Sequence, residues 1–315
     1  NKTYYKHLQA ALDHRPPATT HSHQDKLSII LYGGGRLFGC DEGSLYNIDA
    51  GKSSNVPDWN RRGAWGFHSL CHNTITVDKK NQHFGGGHRL YFQGDDSPVR
   101  AVGAWTDNVF DGVRFERHLA LRNGVLIVVD RLFSDTVRTY DLTHHSFGMV
   151  TSDVPMQPIA ALGSETMYNL PVDVKKGVIK DGSRGTISWE QEGARMNYQV
   201  INAETSPMEL YTATGWANVA YQNVRQPAPF LMARKTGKTA LFKAVIDFGG
   251  SPVKVGRIRA SQEKMEIYLP GGRLVFDFKA GKVFSLPCNA CFVKNVFCPP
   301  NVDDKIRLAS QGLEV

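Results

Sequence analysis

Short runs of alternating or β-branched residues recur from Asp25 onward between turn residues, while helical periodicity is scarce. This pattern is typical of stacked antiparallel sheets. Asn123-Gly124, between two such runs, is the strongest hairpin signal in the chain because both residues tolerate a positive φ. The sequence therefore predicts an all-β fold, a large antiparallel β-sandwich of a supersandwich-like kind.

Two pairs of predicted strands are each separated by only a few residues. One pair covers Val125–Arg131 and Val137–Phe147, and the other covers Phe230–Ala233 and Ala240–Phe248. Each member of a pair has the length of an ordinary strand, so the sequence predicts four separate strands here.

The start and the end of the chain differ from this middle part. Residues 2–12 suit a short helix, which the Arg15-Pro16-Pro17 run would end. We divide the chain into a helical tail or linker over 1–20, a large β-sandwich over 21–235 and a smaller C-terminal β-unit over 236–315.

Size and charge limit the class of protein. The chain has 315 residues, of which 41% are hydrophobic, which is enough for one large or two modest cores. It has no apolar run of about eighteen residues that could span a membrane, and its first residues do not resemble a signal peptide. The net charge of +7 and the pI near 9.1 favour an anionic partner. Because the basic residues are dispersed and no reading motif is present, nucleic acid is not the expected partner.

One histidine pair is spaced for a shared site. If residues 20–32 form a strand, His21 and His23 project from the same face. Asp41 lies beyond a turn at Gly33-Gly34-Gly35, so the next strand can carry its carboxylate back beside the first.

A third ligand can come from His72, which opens the alternating run 74–77. Zinc takes imidazole nitrogen and carboxylate oxygen at about 2.0–2.2 Å, and three protein ligands leave a fourth position open. His23, Asp41 and His72 would form such a set. On these residues alone, histidines hydrogen-bonded within a sheet remain the alternative, because the spacings match no short zinc motif.

Two further pairs of residues accompany these positions. His144 and His145 are adjacent in a predicted strand, so they should point to opposite faces, one of them toward the cleft or the metal's surroundings. Cys40 and Cys71 each precede a predicted ligand, and we expect both to be small core side chains.

The sequence motifs around the candidate ligands resemble those of the heparinase II/III-like polysaccharide lyase family. Its pattern H-x-H-x-D, D-x-G and HNT-x-x-x-D is matched in order and at family-like spacing by His21 to Asp25, by Asp41 to Gly43 and by His72 to Asp78. Later strand pairs also look like those of the family, so the resemblance covers residues from about 20 to 250.

This resemblance implies a two-part enzyme that cleaves uronic-acid polysaccharides in a cleft between a helical toroid and a β-sandwich. The chain looks like the sandwich part, with 1–20 as the tail of the toroid or the linker from it. The resemblance further implies a structural zinc on His23, Asp41 and His72, a substrate-facing His21, and a periplasmic or secreted location. The family's catalytic tyrosine and second histidine normally come from the toroid.

β-Elimination of a uronic-acid polymer needs a group that neutralises the carboxylate, a base for the C5 proton and an acid for the leaving oxygen. His21 titrates near neutral pH and suits the base or neutralising role. Arg61 and Arg62 carry donor forks that match carboxylate or sulfate, although a basic solvated loop is the alternative for both. With Tyr46, which follows the Asp-x-Gly block, they are the predicted substrate-binding residues.

Three functions compete on this basis. The leading hypothesis is β-eliminative cleavage of alginate or of a heparin/heparan-type polymer, with this chain supplying the zinc-bearing half of the site. The alternative is a non-catalytic domain that binds acidic glycan or packs against another subunit. A zinc hydrolase is the third, and it would need an open coordination position beside a general base.

Overall fold

Antiparallel strands account for nearly all the regular structure in the computed structural model, which describes residues 8–16, 23–41, 65–94, 96–203, 206–219 and 224–287. The strands are β1 (Gln9–Leu12), β2 (Ile29–Gly33), β3 (Arg36–Gly39), β4 (Ile75–Val77), β5 (His88–Gln93), β6 (Arg100–Thr106), β7 (Val113–Arg122), β8 (Val125–His145), β9 (Met149–Ser152), β10 (Gln157–Pro158), β11 (Val172–Ile179), β12 (Arg184–Gln191), β13 (Ala194–Ile201), β14 (Met208–Val219), β15 (Val224–Phe248), β16 (Ile258–Ala260), β17 (Lys264–Leu269), β18 (Gly272–Asp277) and β19 (Lys282–Leu286). Within these ranges the helical elements are short 3-10 turns at Trp65–Phe67, Ser69–Cys71 and Thr166–Tyr168. The predicted all-β antiparallel sandwich is confirmed.

Two long strands, β8 and β15, take part in both layers of the sandwich. The first half of β8 pairs with β7, and its second half pairs with β4. The first half of β15 pairs with β14, its second half pairs with β13, and β8 and β15 pair with each other along most of their length. The register of the β8–β15 pairing shifts between Gly237 and Thr239 of β15. Before this shift the other neighbour of β15 is β14, and after it the other neighbour is β13. Each predicted strand pair is therefore one continuous strand that crosses from one layer to the other.

The apolar core contains side chains from both layers. Phe115 of β7 and Val128 of β8 join Leu210 of β14 and Leu231 of β15 in one buried cluster. The hairpin β2–β3 contributes further apolar side chains, including the fully buried Phe38. Since each large apolar side chain stabilises the fold by about 1.5–3 kcal/mol when buried, this cluster anchors the hairpin to the sandwich.

The turn between β7 and β8 has the conformation that the sequence predicts. Asn123 has φ 50° and Gly124 has φ 74°, and the flanking residues Arg122 and Val125 pair directly. Two consecutive positive φ values match the right-handed twist of the strands, so the predicted hairpin is confirmed.

The end of the predicted N-terminal helix is a strand instead. Residues 9–12 form β1, which pairs with β2 from Gln9↔Tyr32 to Leu12↔Ile29, whereas residues 1–7 lie outside the described part of the chain. Local helix propensity is weak here compared with the hydrogen bonds to β2 and the packing of apolar side chains against the core.

The chain divides into two units, Asn1–Pro252 and Val253–Val315. The predicted boundary between 235 and 236 lies inside β15, which continues to Phe248 because its two halves belong to different layers. In the second unit, β16 to β19 form a four-stranded antiparallel sheet in sequential order. No helix in the described ranges combines the length and the apolar character required to cross a bilayer.

Candidate metal centre

Three segments that are distant in the sequence meet at the candidate site. Residues 23–28 lead into β2, residue 41 follows β3, and residues 68–74 lead into β4. Gly34 and Gly35, with φ values of 58° and 82°, form the tight turn between β2 and β3. Because this turn reverses the chain within two residues, the end of β3 returns beside the start of β2, as the glycines predict.

Asn73 joins these segments through its side chain. Its amide nitrogen donates to the carbonyl oxygens of Ile29 at 2.8 Å and Cys40 at 3.0 Å, and its amide oxygen accepts from the backbone N–H of His145 at 2.6 Å. Asn73 is fully buried. One side chain thus satisfies three buried backbone groups, and the position of its neighbour His72 is fixed accordingly.

Arg117 reaches the same segments from β7. Its guanidinium forms a bidentate pair with Asp130 at 2.6 and 2.9 Å, and Nη1 donates to the carbonyl oxygens of Leu27 at 2.5 Å and Asn73 at 2.6 Å. Arg117 and Asp130 are both buried. The fixed fork of donors therefore ties the sandwich layer to two of the three segments of the site.

The predicted ligands lie close together, and Asp25 lies with them. The rings of His23 and His72 have centroids 5.2 Å apart, and Nδ1 of His72 is 2.9 Å from Oδ1 of Asp41. Candidate ligand atoms of His23, Asp25 and His72 all lie within 4.8 Å of one another. His72 is fully buried, Asp25 is 7% exposed, and the Asp41 side chain is 21% exposed.

The electrostatics of this cluster favour a positive charge at its centre. Burial opposes protonation of His72, but the Asp41 carboxylate outweighs it and raises the pKa of His72 well above its usual value. Burial lowers the pKa of His23, and the nearby His72 lowers it further. The Asp41 carboxylate thus stabilises a positive charge on the His72 ring.

Two buried ligand atoms have no hydrogen-bond partner in the described part of the chain. They are Nε2 of His72 and Oδ1 of Asp25. A buried polar atom without a partner costs about 1–3 kcal/mol, and a coordinated metal ion would satisfy both atoms. Imidazole nitrogen and carboxylate oxygen are ligands that zinc accepts, so the donors present fit such an ion.

His144 and His145 point to opposite faces of β8, as predicted. The ring of His144 lies 4.8 Å from that of Tyr198, and its Nε2 donates to the carbonyl oxygen of Phe38 at 2.9 Å. Burial lowers the pKa of His144 to about 3. His145 stacks on Phe230 at 4.5 Å, and burial, followed by neighbouring histidines, holds its pKa well below the usual value. Both rings are therefore neutral at physiological pH.

Several predicted site residues fall outside the described residues. They are His21, Tyr46, Arg61 and Arg62, whose roles stay predictions. Cys40 and Cys71 are buried, which confirms their expected packing in the core.

Sequence reasoning did not single out Asp25 or Arg117 as residues of this site. Asp25 had a signal, because it stands two residues after His23. The strand predicted over 20–32 begins only at Ile29, however, so it is the irregular segment 23–28 that brings Asp25 beside His23. Arg117 gave no sequence signal for this role, because the backbone carbonyls that accept its hydrogen bonds lie 90 and 44 residues away in the sequence.

A comparison of the sequence with protein families identifies the group to which it is related. The heparinase II/III-like, C-terminal family matches residues 3–244. The chain belongs to this family. No curated protein matches this heparinase II/III-like chain.

Solved structures share the fold of the heparinase II/III-like chain. A heparinase III, the BT4657 gene product with methylated lysines, aligns with a TM-score of 0.62 and 16% identity over 90% of this chain and 38% of its own. The heparan sulfate lyase HepC from Pedobacter heparinus aligns with a TM-score of 0.59 and 15% identity over 89% of this chain and 39% of its own. Another heparinase III aligns with a TM-score of 0.57 and 15% identity over 85% of this chain and 36% of its own. The chain thus spans less than two fifths of the length of these structures.

Proposed function

We propose that this heparinase II/III-like chain supplies the β-sandwich part of a lyase that cleaves uronic-acid polysaccharides of the heparan type. The observation that carries the proposal is the convergence of His23, Asp41 and His72, one from each of the three family blocks, around the buried ring of His72. Alginate was equally compatible with the sequence. The names of the similar structures, heparan sulfate lyase and heparinase III, favour the heparan type.

In this proposal His23, Asp41 and His72 would hold a zinc ion. The role of the ion would be structural, because it would cross-link the three chain segments that carry these residues. His21 stands two residues before His23, so a rigid His23 restricts where His21 can lie. We assign His21 the removal of the C5 proton or the neutralisation of the substrate carboxylate, because imidazole donates and accepts protons near neutral pH.

Substrate binding is assigned to Arg61, Arg62 and Tyr46. Guanidinium groups form paired hydrogen bonds with carboxylate or sulfate, and the net charge of +7 attracts a polyanion over longer distances. The remaining catalytic groups would come from an N-terminal helical toroid, because the similar structures are more than twice as long as this chain. A periplasmic or secreted location accords with a polymeric substrate.

The proposal is tested by the ultraviolet absorbance of 4,5-unsaturated uronate after incubation with heparan sulfate. The chain is assayed alone and together with the helical part of its longer protein. We expect turnover that His21→Ala lowers by at least about 100-fold, the loss typical of a missing general acid or base. His83→Ala, at an exposed histidine, is the matched control. No absorbance from the combined protein on heparan sulfate, heparin or alginate would reject the proposal.

Glycan binding without catalysis is the second candidate function, and the same experiment separates it. In that case immobilised heparan sulfate would retain the chain, and no unsaturated product would form even with the helical part present. Retention combined with turnover that depends on His21 would exclude this candidate.

A zinc hydrolase would differ in its use of the metal. It needs a metal-bound water that substrate can reach, whereas His72 is fully buried and Asp25 nearly so. This burial supports a holding role for the ion. Hydrolysis without an unsaturated product would support the hydrolase instead.

A further inference from the structure

The small C-terminal unit carries more than half of the net positive charge. Its described part, residues 253–287, has seven lysine and arginine residues against three aspartate and glutamate residues, so it contributes +4 to the net charge of +7. The heparinase II/III-like match ends at residue 244, before this unit begins. The family match and the candidate metal centre therefore leave the basic character of the unit unexplained.

The four-stranded sheet of this unit has one apolar face and one charged face. The apolar face consists of six buried side chains, which are Met265, Ile267, Leu269, Leu274, Phe276 and Val283. The register of β16 to β19 places the charged residues on the opposite face, since paired residues of neighbouring strands share a face. The members of this charged face are Arg259, Lys264, Glu266, Tyr268, Arg273, Val275, Asp277, Lys282, Phe284 and Leu286.

The two carboxylates of the charged face are less exposed than the outer cations beside them. The side chain of Glu266 is 22% exposed, and that of Arg259, 3.9 Å away, is 41% exposed. Asp277 is 13% exposed, whereas Lys264, at 3.4 Å, is 58% exposed. Because the negative groups lie deeper than these cations, a molecule that approaches the face meets positive charge first.

Two aromatic rings lie among the cations of the charged face. The Lys282 ammonium is 4.7 Å from the ring centroid of Phe284, and the Arg273 guanidinium is 5.9 Å from that of Tyr268. Both rings are half-buried. A flat ring of this kind offers an apolar surface to the C–H face of a sugar, while a neighbouring cation can pair with a sulfate or carboxylate.

The outer cations are spread across the whole sheet. Arg259 lies on β16 and Lys282 on β19, and these strands are separated by three strand spacings, or about 14 Å. A single small anion cannot contact both cations at this separation. A polymer with repeated negative charges can contact both.

We propose that the charged face of the C-terminal unit binds a stretch of sulfated or carboxylated polysaccharide, with Arg259, Lys264 and Lys282 as its outer cations. The choice of a glycan among polyanions rests on the proposed function, which this inference deepens. A polymer held on this unit stays at a raised local concentration for the β-sandwich part of the same chain. The unit would therefore favour long polymers over short oligosaccharides.

The affinity of the full chain for immobilised heparan sulfate, measured by surface plasmon resonance, tests the proposal. Arg259→Gln with Lys282→Gln removes two outer cations and keeps the Arg273–Glu266 and Lys264–Asp277 pairs. Lys180→Gln with Lys238→Gln, at exposed positions of the first unit, removes the same charge and is the matched control. We expect the first pair to weaken binding about tenfold, as for the loss of two exposed ion pairs, and the control pair by less than about twofold.

Acetylation of lysines in the wild-type chain is a second measurement that requires no variant to fold. Bound heparan sulfate should slow the acetylation of Lys264 and Lys282 and leave that of Lys180 and Lys238 unchanged, as determined by mass spectrometry. Equal protection of all four lysines would overturn the proposal.

The outcomes separate this inference from the proposed lyase function. Equal weakening by both pairs of substitutions, or no retention of the wild-type chain on heparan sulfate, would overturn the inference. Single-stranded DNA that binds as tightly, with the same dependence on Arg259 and Lys282, would overturn the choice of a glycan. Glycan binding that depends on these two residues, without unsaturated product from the combined protein, would support the inference and reject the lyase.

Discussion

At the scale of single residues, Arg117 ties two segments of the candidate centre to β7 and β8. Its fork pairs with Asp130 and donates to the carbonyl oxygens of Leu27 and Asn73. Arg117→Met would leave a buried carboxylate and two buried carbonyls without their donors. We expect the free energy of unfolding to fall by about 3–5 kcal/mol, measured by urea denaturation.

A double variant distinguishes the ion pair from the carbonyl contacts. Arg117→Met with Asp130→Leu removes both charges but still leaves the two carbonyls without a donor, so it should recover only part of the loss. Arg89→Met, at an exposed arginine of β5, is the control and should change stability by less than about 0.5 kcal/mol. Full recovery in the double variant would show that the carbonyl contacts contribute little.

His144 should make the stability of the protein depend on pH. Burial, with a smaller effect of Arg117, lowers its pKa in the folded state to about 3, below the unfolded value of about 6.5. Between these values the unfolded chain binds a proton that the folded chain does not. Stability therefore falls as the pH drops from about 6.5 toward 3, by up to about 1.4 kcal/mol per pH unit.

The variant that tests this pH dependence is His144→Phe, followed by denaturation at several pH values. Between pH 6.5 and 4.5 the variant should lose less free energy of unfolding than the wild-type chain. The difference should approach the effect of one bound proton, up to about 1.4 kcal/mol per pH unit. Above about pH 7.5 the difference between the two proteins should be constant, which serves as the internal control. Equal slopes in the acidic range would show that His144 is not the group responsible.

The sequence made part of the candidate centre predictable. His23, Asp41 and His72 could be chosen because their family blocks are local and each ligand type has a clear chemistry. The arrangement of Asn73 and Arg117 could not be predicted, because it depends on backbone carbonyls that carry no signal of their own.

At the scale of elements, β14 passes unusually close to the 3-10 turn at Trp65–Phe67. A Cβ atom on Gly215 would lie 2.6 Å from Cζ2 of Trp65, whose indole N–H donates to the carbonyl oxygen of Trp216 at 2.9 Å. Trp65 is fully buried. Gly215→Ala should therefore push the indole away and lower the free energy of unfolding by about 1–3 kcal/mol, measured by chemical denaturation.

The control for this glycine substitution is Gly249→Ala. A Cβ atom there would have no atom within 4 Å, so the substitution should leave stability within about 0.5 kcal/mol of the wild-type value. If both alanine variants were equally stable, the close approach of Gly215 to Trp65 would not contribute to the packing.

The number and type of elements followed from the sequence better than their continuity. The runs before and after residues 132–136 predict two strands, yet β8 continues through them. Residues 134–136 between the runs are polar where the strand crosses between layers, and Asp135 and Thr136 are exposed. The same reason explains β15, where Gly237 lies at the register shift. Pattern alone cannot distinguish such a crossing from a turn, because both expose polar residues.

At the scale of the whole molecule, the excess of basic residues should make binding of an anionic glycan depend on salt. The net charge is +7, and the screening length shortens from about 10 Å at 0.1 M salt to about 3 Å at 1 M. Retention of the chain on immobilised heparan sulfate should therefore weaken as sodium chloride increases. Retention on neutral dextran should be absent at every salt concentration.

Local recognition can be separated from this long-range attraction by removing two charges at different places. Arg61→Gln with Arg62→Gln and Lys180→Gln with Lys238→Gln lower the net charge equally, and the two lysines are exposed positions away from the family blocks. If the arginines contact the glycan through paired hydrogen bonds, their loss should weaken binding at least about tenfold more than loss of the lysines, and the difference should persist at high salt. Equal weakening by both pairs, vanishing at high salt, would mean that the arginines contribute only to the overall field and do not form part of a binding site.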